Sequence, residues 1–186
     1  LFDTAAARQT TMLPACREIP MSSSLESSWL SIEPVVLGLR PPHHPTPDAF
    51  LLVDHPLGRF RFDVYYDEIA MPPKAWIWNS IVIATTGSSL SLFDLRTGVT
   101  ATTPIDAYVA GIYPYADVLF VTTASEIITF DEHLRPLTRH NDLGIDGVII
   151  DKITDELIEG SGEWDPPGGW RPFSVIRTPQ DRGGGI

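Results

Sequence analysis

The chain contains a single cysteine, Cys16, among its 186 residues. One cysteine cannot form an intrachain disulfide and is too few for a cysteine-based zinc site. Basic residues are also scarce, with 13 Lys and Arg against 24 Asp and Glu, which leaves a formal net charge of −11. Nucleic acids and anionic membrane surfaces are bound mainly through Lys and Arg. We therefore expect no nucleic acid and no membrane among the partners of this protein.

Long apolar runs are absent as well. No segment approaches the ~18 consecutive apolar residues that predict a membrane-spanning helix, and the first 30 residues lack the pattern of a secretory signal. These features favour a cytoplasmic protein. The sequence begins with Leu1, and Met21 opens a polar segment that resembles a natural start. We expect residues 1–20 to be upstream translation, or the chain to be a fragment.

The sequence also has no motif that carries a known chemistry. It contains no Gly-rich phosphate loop, no nucleophile elbow and no Cys–His pairing in its core segments. The five histidines are not spaced as metal ligands. We therefore predict no cofactor, no metal site and no catalytic residues, and we expect a protein that is not an enzyme.

The composition, with 43% hydrophobic and 20% charged residues, is typical of a globular domain. Residues 1–47 are predicted to be mostly irregular and end in the proline-rich connector Pro41–Pro47. Short apolar runs separated by turn residues then predict a β-repeat domain over residues 48–178. Residues 179–186 include three consecutive glycines, which predicts a flexible tail.

A repeat is the most informative feature of the β-region. The segment 81–96 aligns with the segment 118–133 without a gap at an offset of 37 residues. Five of the 16 aligned positions are identical, and five others exchange one apolar residue for another. A period of this size is typical of stacked supersecondary units.

The apolar runs inside the repeat also predict how the units pack. Residues 81–84 read IVIA and residues 118–121 read VLFV, so they are apolar on consecutive positions. A strand that is covered on both faces has this pattern, whereas a strand with one solvated face alternates. A third, weaker unit follows, and its alignment with the second predicts a strand over residues 156–161 in a segment that is rich in helix formers.

A recurring Phe–Asp pair gives the frame of the units. It occurs at Phe62–Asp63, Phe93–Asp94 and Phe130–Asp131, and Phe173–Ser174 takes the matching place in the last unit. Units of this length resemble the blades of a β-propeller, as in the WD40-like and quinoprotein-like families, over residues 48–178. The resemblance implies antiparallel four-stranded repeats of about 37 residues that form a partial or small propeller. A β-sandwich of similar hairpins is the alternative.

The loop around residues 163–172 is the strongest candidate for a binding site. Two prolines and two glycines shape it, and a tryptophan stands at each end. Exposed tryptophans commonly anchor protein partners. We therefore predict a binding site at Trp164, Asp165, Trp170 and Arg171. The alternative is that both rings fold back and cover the end of the core.

Two functions remain open from the sequence. The first is a non-catalytic protein-interaction module, of which an inhibitor or immunity-type protein with a basic partner would be an example. The second is a carbohydrate-active hydrolase, which needs carboxylates that converge at the mouth of the repeats. Its candidates are Asp63, Asp94, Asp131, Glu163 and Asp165, although an aspartate before a turn more often stabilises that turn. An incomplete ring would in addition favour self-association.

Overall fold

The computed structural model describes residues 16–67, 72–165 and 168–182. In these residues the regular structure is β-strand, apart from the two short 3-10 helices Ser27–Trp29 and Gln180–Arg182. The strands form four sheets, which we number I to IV. The predicted all-β fold, built of antiparallel sheets, is confirmed.

The N-terminal strands build sheet I and one edge of sheet II. They are β1 (Arg17–Ile19), β2 (Met21–Ser22), β3 (Pro34–Leu37), β4 (Ala49–His55) and β5 (Gly58–Val64). Sheet I has the order β2-β4-β5-β3, in which only β3 and β5 are parallel. The boundary predicted after residue 47 falls between β3 and β4, which belong to the same sheet. Strand β1 pairs with residues 75–77, which belong to the first of the later strands of sheet II.

The remaining strands form three antiparallel sheets in chain order. Sheet II contains β6 (Ala75–Trp78), β7 (Ile81–Thr85), β8 (Ser89–Asp94) and β9 (Thr100–Pro104). Sheet III contains β10 (Gly111–Tyr115), β11 (Val118–Thr122), β12 (Ile127–Phe130) and β13 (Pro136–His140). Sheet IV has three strands, β14 (Val148–Ile153), β15 (Leu157–Trp164) and β16 (Gly169–Ile176). The strand predicted over residues 156–161 is confirmed by β15.

The two similar segments form the central hairpins of sheets II and III. In β7–β8, Thr85 lies opposite Leu90, and in β11–β12 Thr122 lies opposite Ile127. The two hairpins therefore have the same register, shifted by the 37 residues that separate the segments. Register fixes which side chains share a face, so corresponding residues in the two sheets point in corresponding directions.

The central strands are buried on both faces, as their consecutive apolar residues predict. In β7, Val82 packs in a core shared with sheet I, whereas Ile83 packs in a core shared with sheet III. In β11, Leu119 faces sheet II and Phe120 faces sheet IV. Each of these buried side chains contributes about 1.5–3 kcal/mol through the hydrophobic effect. The sheets are thus stacked in the order I, II, III, IV.

Sheet IV differs because one of its faces is open. Its inner face, which includes Ile158 and Phe173, packs against sheet III. On its other face Ile149, Trp170 and Ile176 are 40%, 48% and 73% exposed. Among the described residues no hydrophobic cluster joins sheet IV to sheet I, so the cores follow one another in a row without closing a ring.

The pair Phe62–Asp63 is not equivalent to the other Phe–Asp pairs, which corrects the frame expected from the sequence. Phe93 faces the preceding sheet, whereas Phe62 faces the following one and meets the Phe93 ring edge-on, with 5.2 Å between ring centroids. Asp63 lies within β5 and not at a turn, and its carboxylate accepts two hydrogen bonds from Arg61. The odd spacing of 31 residues, against 37 for the next pair, reflects this difference.

The segment after β16 returns to sheet III. Asp181 in the second 3-10 helix is fully buried. Its carboxylate accepts hydrogen bonds from the Thr129 hydroxyl at 3.0 Å, the Thr178 amide at 2.8 Å and the Thr138 hydroxyl, and it pairs with His140 at 3.2 Å. Burial opposes ionisation, but these donors outweigh it and hold the pKa of Asp181 far below its ordinary value. Asp181 therefore docks on sheet III within the segment for which the sequence predicted a flexible tail from residue 179, and residues 183–186 lie outside the described residues.

Candidate functional site

Loops and turns from three sheets meet at one end of the stack. The turns between β7 and β8, between β11 and β12 and between β15 and β16 lie there, together with the loops that connect each sheet to the next. The third of these turns belongs to the loop with two tryptophans that the sequence singled out. Functional side chains are often carried on loops of this kind above a rigid scaffold.

Hydrogen bonds between a loop and the following turn hold this end together. The Ser88 hydroxyl donates to the Asp67 carboxylate at 2.6 Å, and the Ser88 amide donates to the same carboxylate at 3.0 Å. At the corresponding place one sheet later, the Ser125 hydroxyl donates to Asp106 at 2.5 Å. The bond from the Ser88 hydroxyl is the main reason that the pKa of Asp67 is lowered. We call these contacts the loop-to-turn bonds.

The third turn is held by backbone contacts. The Glu163 amide donates to the Gly147 carbonyl at 2.8 Å, and the Ile145 amide donates to the Glu163 carbonyl at 2.8 Å. Gly162 is required beside them, because a Cβ there would overlap the Leu143 carbonyl. The loop before sheet IV thus packs directly against the β15–β16 hairpin. These contacts restrict the backbone of the loop at this end of the stack.

Between these loops lies a cleft of about 470 Å³. Its walls come from sheets II and IV and from the loops that connect the sheets, and they carry three carboxylates, those of Asp106, Asp146 and Glu163. Lys74 is the one cationic residue among the described residues that line it. The cleft therefore has an excess of negative charge, like the chain as a whole. Its volume lies within the range typical of ligand pockets.

Trp170 forms part of the wall of this cleft. It lies directly opposite Glu163 in the β15–β16 hairpin, so the two side chains share a face. The ring lies close to Gly147, since a Cβ there would be in van der Waals contact with its Cη2 atom at 3.5 Å. Trp170 is 48% exposed, which is unusual for so large an apolar ring.

Tyr108 also lines the cleft, and its hydroxyl lies close to Gly147, as the Trp170 ring does. Its hydroxyl donates to the Asp146 carbonyl at 2.5 Å. Burial raises the pKa of Tyr108, and the negative charges of Asp146, Glu163 and Asp106 raise it further. The phenol therefore stays protonated at neutral pH and remains a hydrogen-bond donor.

The four predicted site residues do not form one surface. Because side chains alternate along a strand, the residues next to Trp170 face away from the cleft. The Trp164 ring faces the side of sheet III, where the Arg171 guanidinium lies 5.5 Å from its centroid. Asp165 is exposed in the turn, where its carbonyl accepts a bond from the Gly168 amide. Of the four, only Trp170 lines the cleft.

Sequence reasoning missed the other acidic residues of the cleft. Asp106 and Asp146 lie in connecting loops outside the repeated segments, so the alignment of the repeats did not include them. A signal was present for Asp106, because Asp67 precedes Ser88 by 21 residues and Asp106 precedes Ser125 by 19. No comparable pattern marks Asp146.

The carboxylates proposed for a hydrolase do not converge. The Asp94 carboxylate accepts bonds from Arg96 and Thr97 in its own turn, and the Asp131 carboxylate does so from His133 and Arg135. Burial acts to raise the pKa of Asp94, but the bonds to its turn outweigh this effect and lower it. Only Glu163 of the five candidates lines the cleft.

Other reactive groups are also accounted for by their surroundings. Burial raises the pKa of the Cys16 thiol to about 11, so it stays protonated at neutral pH and is a poor nucleophile. Within the part of the chain that the structure describes, no three His, Cys, Asp or Glu side chains are grouped so that they could hold a metal ion.

Comparison with known proteins indicates no function, so the functional conclusion rests on the geometry of the cleft. No protein-family model, curated protein sequence or solved structure matches the chain. None of the helices in the described residues has the length and apolar character needed to cross a bilayer.

Proposed function

We propose that this protein is a non-catalytic interaction module that binds a protein partner at the cleft, with Trp170 as the anchor. The observation that carries the proposal is a half-exposed tryptophan in the wall of a cleft. Tryptophan is among the residues that contribute most to binding energy at protein interfaces. A ring already held beside the cleft loses little conformational freedom when a partner covers it.

The rigid surroundings of the cleft support a binding role. The loop-to-turn bonds and the close contact at Gly162 hold its walls before any partner arrives. Preorganisation of this kind lowers the entropic cost of association. We further propose that sheets II to IV act as blade-like units of a partial propeller and present their loops to the partner. An inhibitor or immunity-type protein would have this design.

The hydrolase alternative has less support. It needs two carboxylates at a suitable separation around a bound sugar. Three of its five candidates, Asp63, Asp94 and Asp131, have their carboxylates engaged by neighbouring side chains or by their own turns. We therefore retain the binding function as the proposal.

A pull-down with two tryptophan variants tests this proposal. The tagged protein is used to capture partners from a lysate of its natural host, and the same is done with Trp170→Ala and with Trp164→Ala. Because Trp164 faces away from the cleft, it is a matched control for the loss of an indole ring. We expect Trp170→Ala to lose the partner and Trp164→Ala to retain it. Retention by both folded variants would exclude the cleft as the binding site.

A further inference from the structure

The charge of the cleft suggests the chemistry of its occupant. Three carboxylates face one ammonium group among the described lining residues, and the chain has a net charge of −11. A negative cleft in a negative protein attracts cations and repels anions over a distance of several ångströms. An acidic peptide or a phosphate group is therefore a poor candidate for this site.

The exposed indole adds a second preference. Elsewhere in this chain arginine covers two tryptophan rings: the Arg59 guanidinium lies 3.9 Å from the centroid of Trp29, and the Arg171 guanidinium lies 5.5 Å from the centroid of Trp164. Within the described residues no cation lies over the ring of Trp170. A planar cation stacked on an indole is a favourable contact, and it strengthens when water is excluded.

We propose that the cleft binds an arginine or lysine side chain of a basic protein partner, stacked on Trp170 and paired with Glu163 and Asp146. This inference rests on the proposed function and specifies the group that the partner inserts. Glu163 lies on the same face of the sheet as Trp170. Asp146 precedes Gly147 in the connecting loop, and Gly147 lies close to the Trp170 ring. In the described residues neither carboxylate forms a side-chain hydrogen bond or ion pair, so both are available to a ligand.

Arginine fits this arrangement better than lysine. Its guanidinium is planar, stacks on aromatic rings and donates several hydrogen bonds in fixed directions. It can therefore lie on the indole while it donates to a carboxylate at its edge. The cleft is large enough for one such side chain together with part of the backbone that carries it.

Short peptides provide the test. An arginine-rich peptide and its citrulline counterpart, which has nearly the same shape without the charge, are titrated into the protein and followed by calorimetry and by the NMR signal of the Trp170 indole N–H. We expect the arginine peptide to bind and to shift that signal, and the citrulline peptide to do neither. Binding should weaken as salt is added, since the attraction is electrostatic.

Matched charge variants show whether binding is local. Asp146→Asn combined with Glu163→Gln removes two charges at the cleft. Asp117→Asn combined with Glu156→Gln removes two charges from exposed residues in turns at the opposite end of the sheets. We expect the first pair to weaken binding about tenfold or more and the second to change it much less.

The outcomes separate the inference from the function on which it rests. Equal binding of the citrulline peptide, or equal loss in both charge variants, would overturn the inference. Binding of a neutral oligosaccharide that shifts the Trp170 signal, without binding of the arginine peptide, would also overturn it. If the natural partner is lost with Trp170→Ala but retained by Asp146→Asn/Glu163→Gln, the proposed function stands and the cationic occupant is wrong.

Discussion

Sheets II, III and IV each carry an apolar residue at an equivalent position, and the burial of this residue differs from sheet to sheet. Leu90 in β8, Ile127 in β12 and Trp170 in β16 each lie near the start of a strand, on the face turned away from the preceding sheet. Leu90 and Ile127 are fully buried, whereas Trp170 is 48% exposed. The first two are covered because another sheet follows theirs. The burial of a repeated residue thus depends on its neighbouring sheet more than on its own strand.

The centre of the open face shows how sheet IV differs from sheet III. Phe120 in β11 is fully buried against sheet IV, whereas β15 carries Glu159 on the open face of its sheet. Glu159 pairs with Lys152 at 3.1 Å, and both side chains are largely exposed. Units at the end of a stack of repeats commonly have a polar outer face. The apolar residues that remain exposed on this face therefore stand out, and Trp170 is the one that lines a cleft.

The largest expected effect comes from truncating the buried members of this set. Ile127→Ala should lower the free energy of unfolding by about 2–5 kcal/mol, because it leaves a cavity between sheets III and IV. Trp170→Ala removes more atoms but should cost only about 1 kcal/mol or less, since half of the ring is already in water. Urea denaturation measures both values. An equal loss for Trp170→Ala would mean that the ring is a core residue.

Asp181 tests how the chain after sheet IV is held on sheet III. Asp181→Ala should lower the free energy of unfolding by about 2–3 kcal/mol, because it removes the acceptor of several buried donors. The folded-state pKa lies below the ordinary value of 3.8, so the carboxylate stabilises the fold above about pH 4. That contribution is lost as the pH falls from there through the folded-state pKa.

The measurement for this prediction is denaturation at several pH values below 6. The wild-type protein should lose stability more steeply than Asp181→Ala as the pH falls below about 4. Parallel curves for the two proteins would show that Asp181 is not an ionised acceptor in the fold.

Asp94, which ends β8, and Asp131, which directly follows β12, should have similar, smaller effects. Asp94→Ala and Asp131→Ala each remove a carboxylate that accepts amide hydrogen bonds in the following turn. We expect a loss of about 1–2 kcal/mol for each. Ser174 takes the matching place in β16, where it lies within the strand, and Ser174→Ala should cost about 0.5 kcal/mol or less. Thermal unfolding of the three variants would reveal any reversal of this order.

The smallest effect is expected at the polar centre of the open face. Lys152→Ala breaks an exposed ion pair with Glu159 and should change the free energy of unfolding by about 0.5 kcal/mol or less. The small loss should disappear at high salt. A loss as large as that of Ile127→Ala, measured by the same urea denaturation, would indicate that another molecule covers this face in solution.

Local patterns in the sequence predicted the central sheets well. Consecutive apolar residues in β7 and β11 indicated burial on both faces, and the alignment predicted β15 against its helix-forming composition. Sheet I was harder, because β3 pairs in parallel with β5 across a long connection and its short apolar run has no periodic partner. The Phe62–Asp63 pair was misleading because a dipeptide does not reveal which face of the sheet its side chains lie on.

The candidate site could be predicted only in part. The sequence identified a loop with two tryptophans, but only the hairpin register separates Trp170 on the cleft side from Trp164 on the other. Asp106 and Asp146 approach Trp170 through the stacking of sheets, which no local pattern records. Sequence reasoning therefore finds residues of the right type more readily than it finds which of them meet.

The loop-to-turn bonds have a consequence for how such a chain could change its size. In sheet II, the Ser88 hydroxyl donates to Asp67, which lies in the loop before this sheet. The loop after the sheet carries Asp106, which accepts a hydrogen bond from Ser125 of sheet III. Gene duplication of sheet II together with the loop after it, or its deletion, would leave each serine opposite an aspartate, because this unit brings one of each. The number of sheets could thus evolve without loss of the contacts that fasten them.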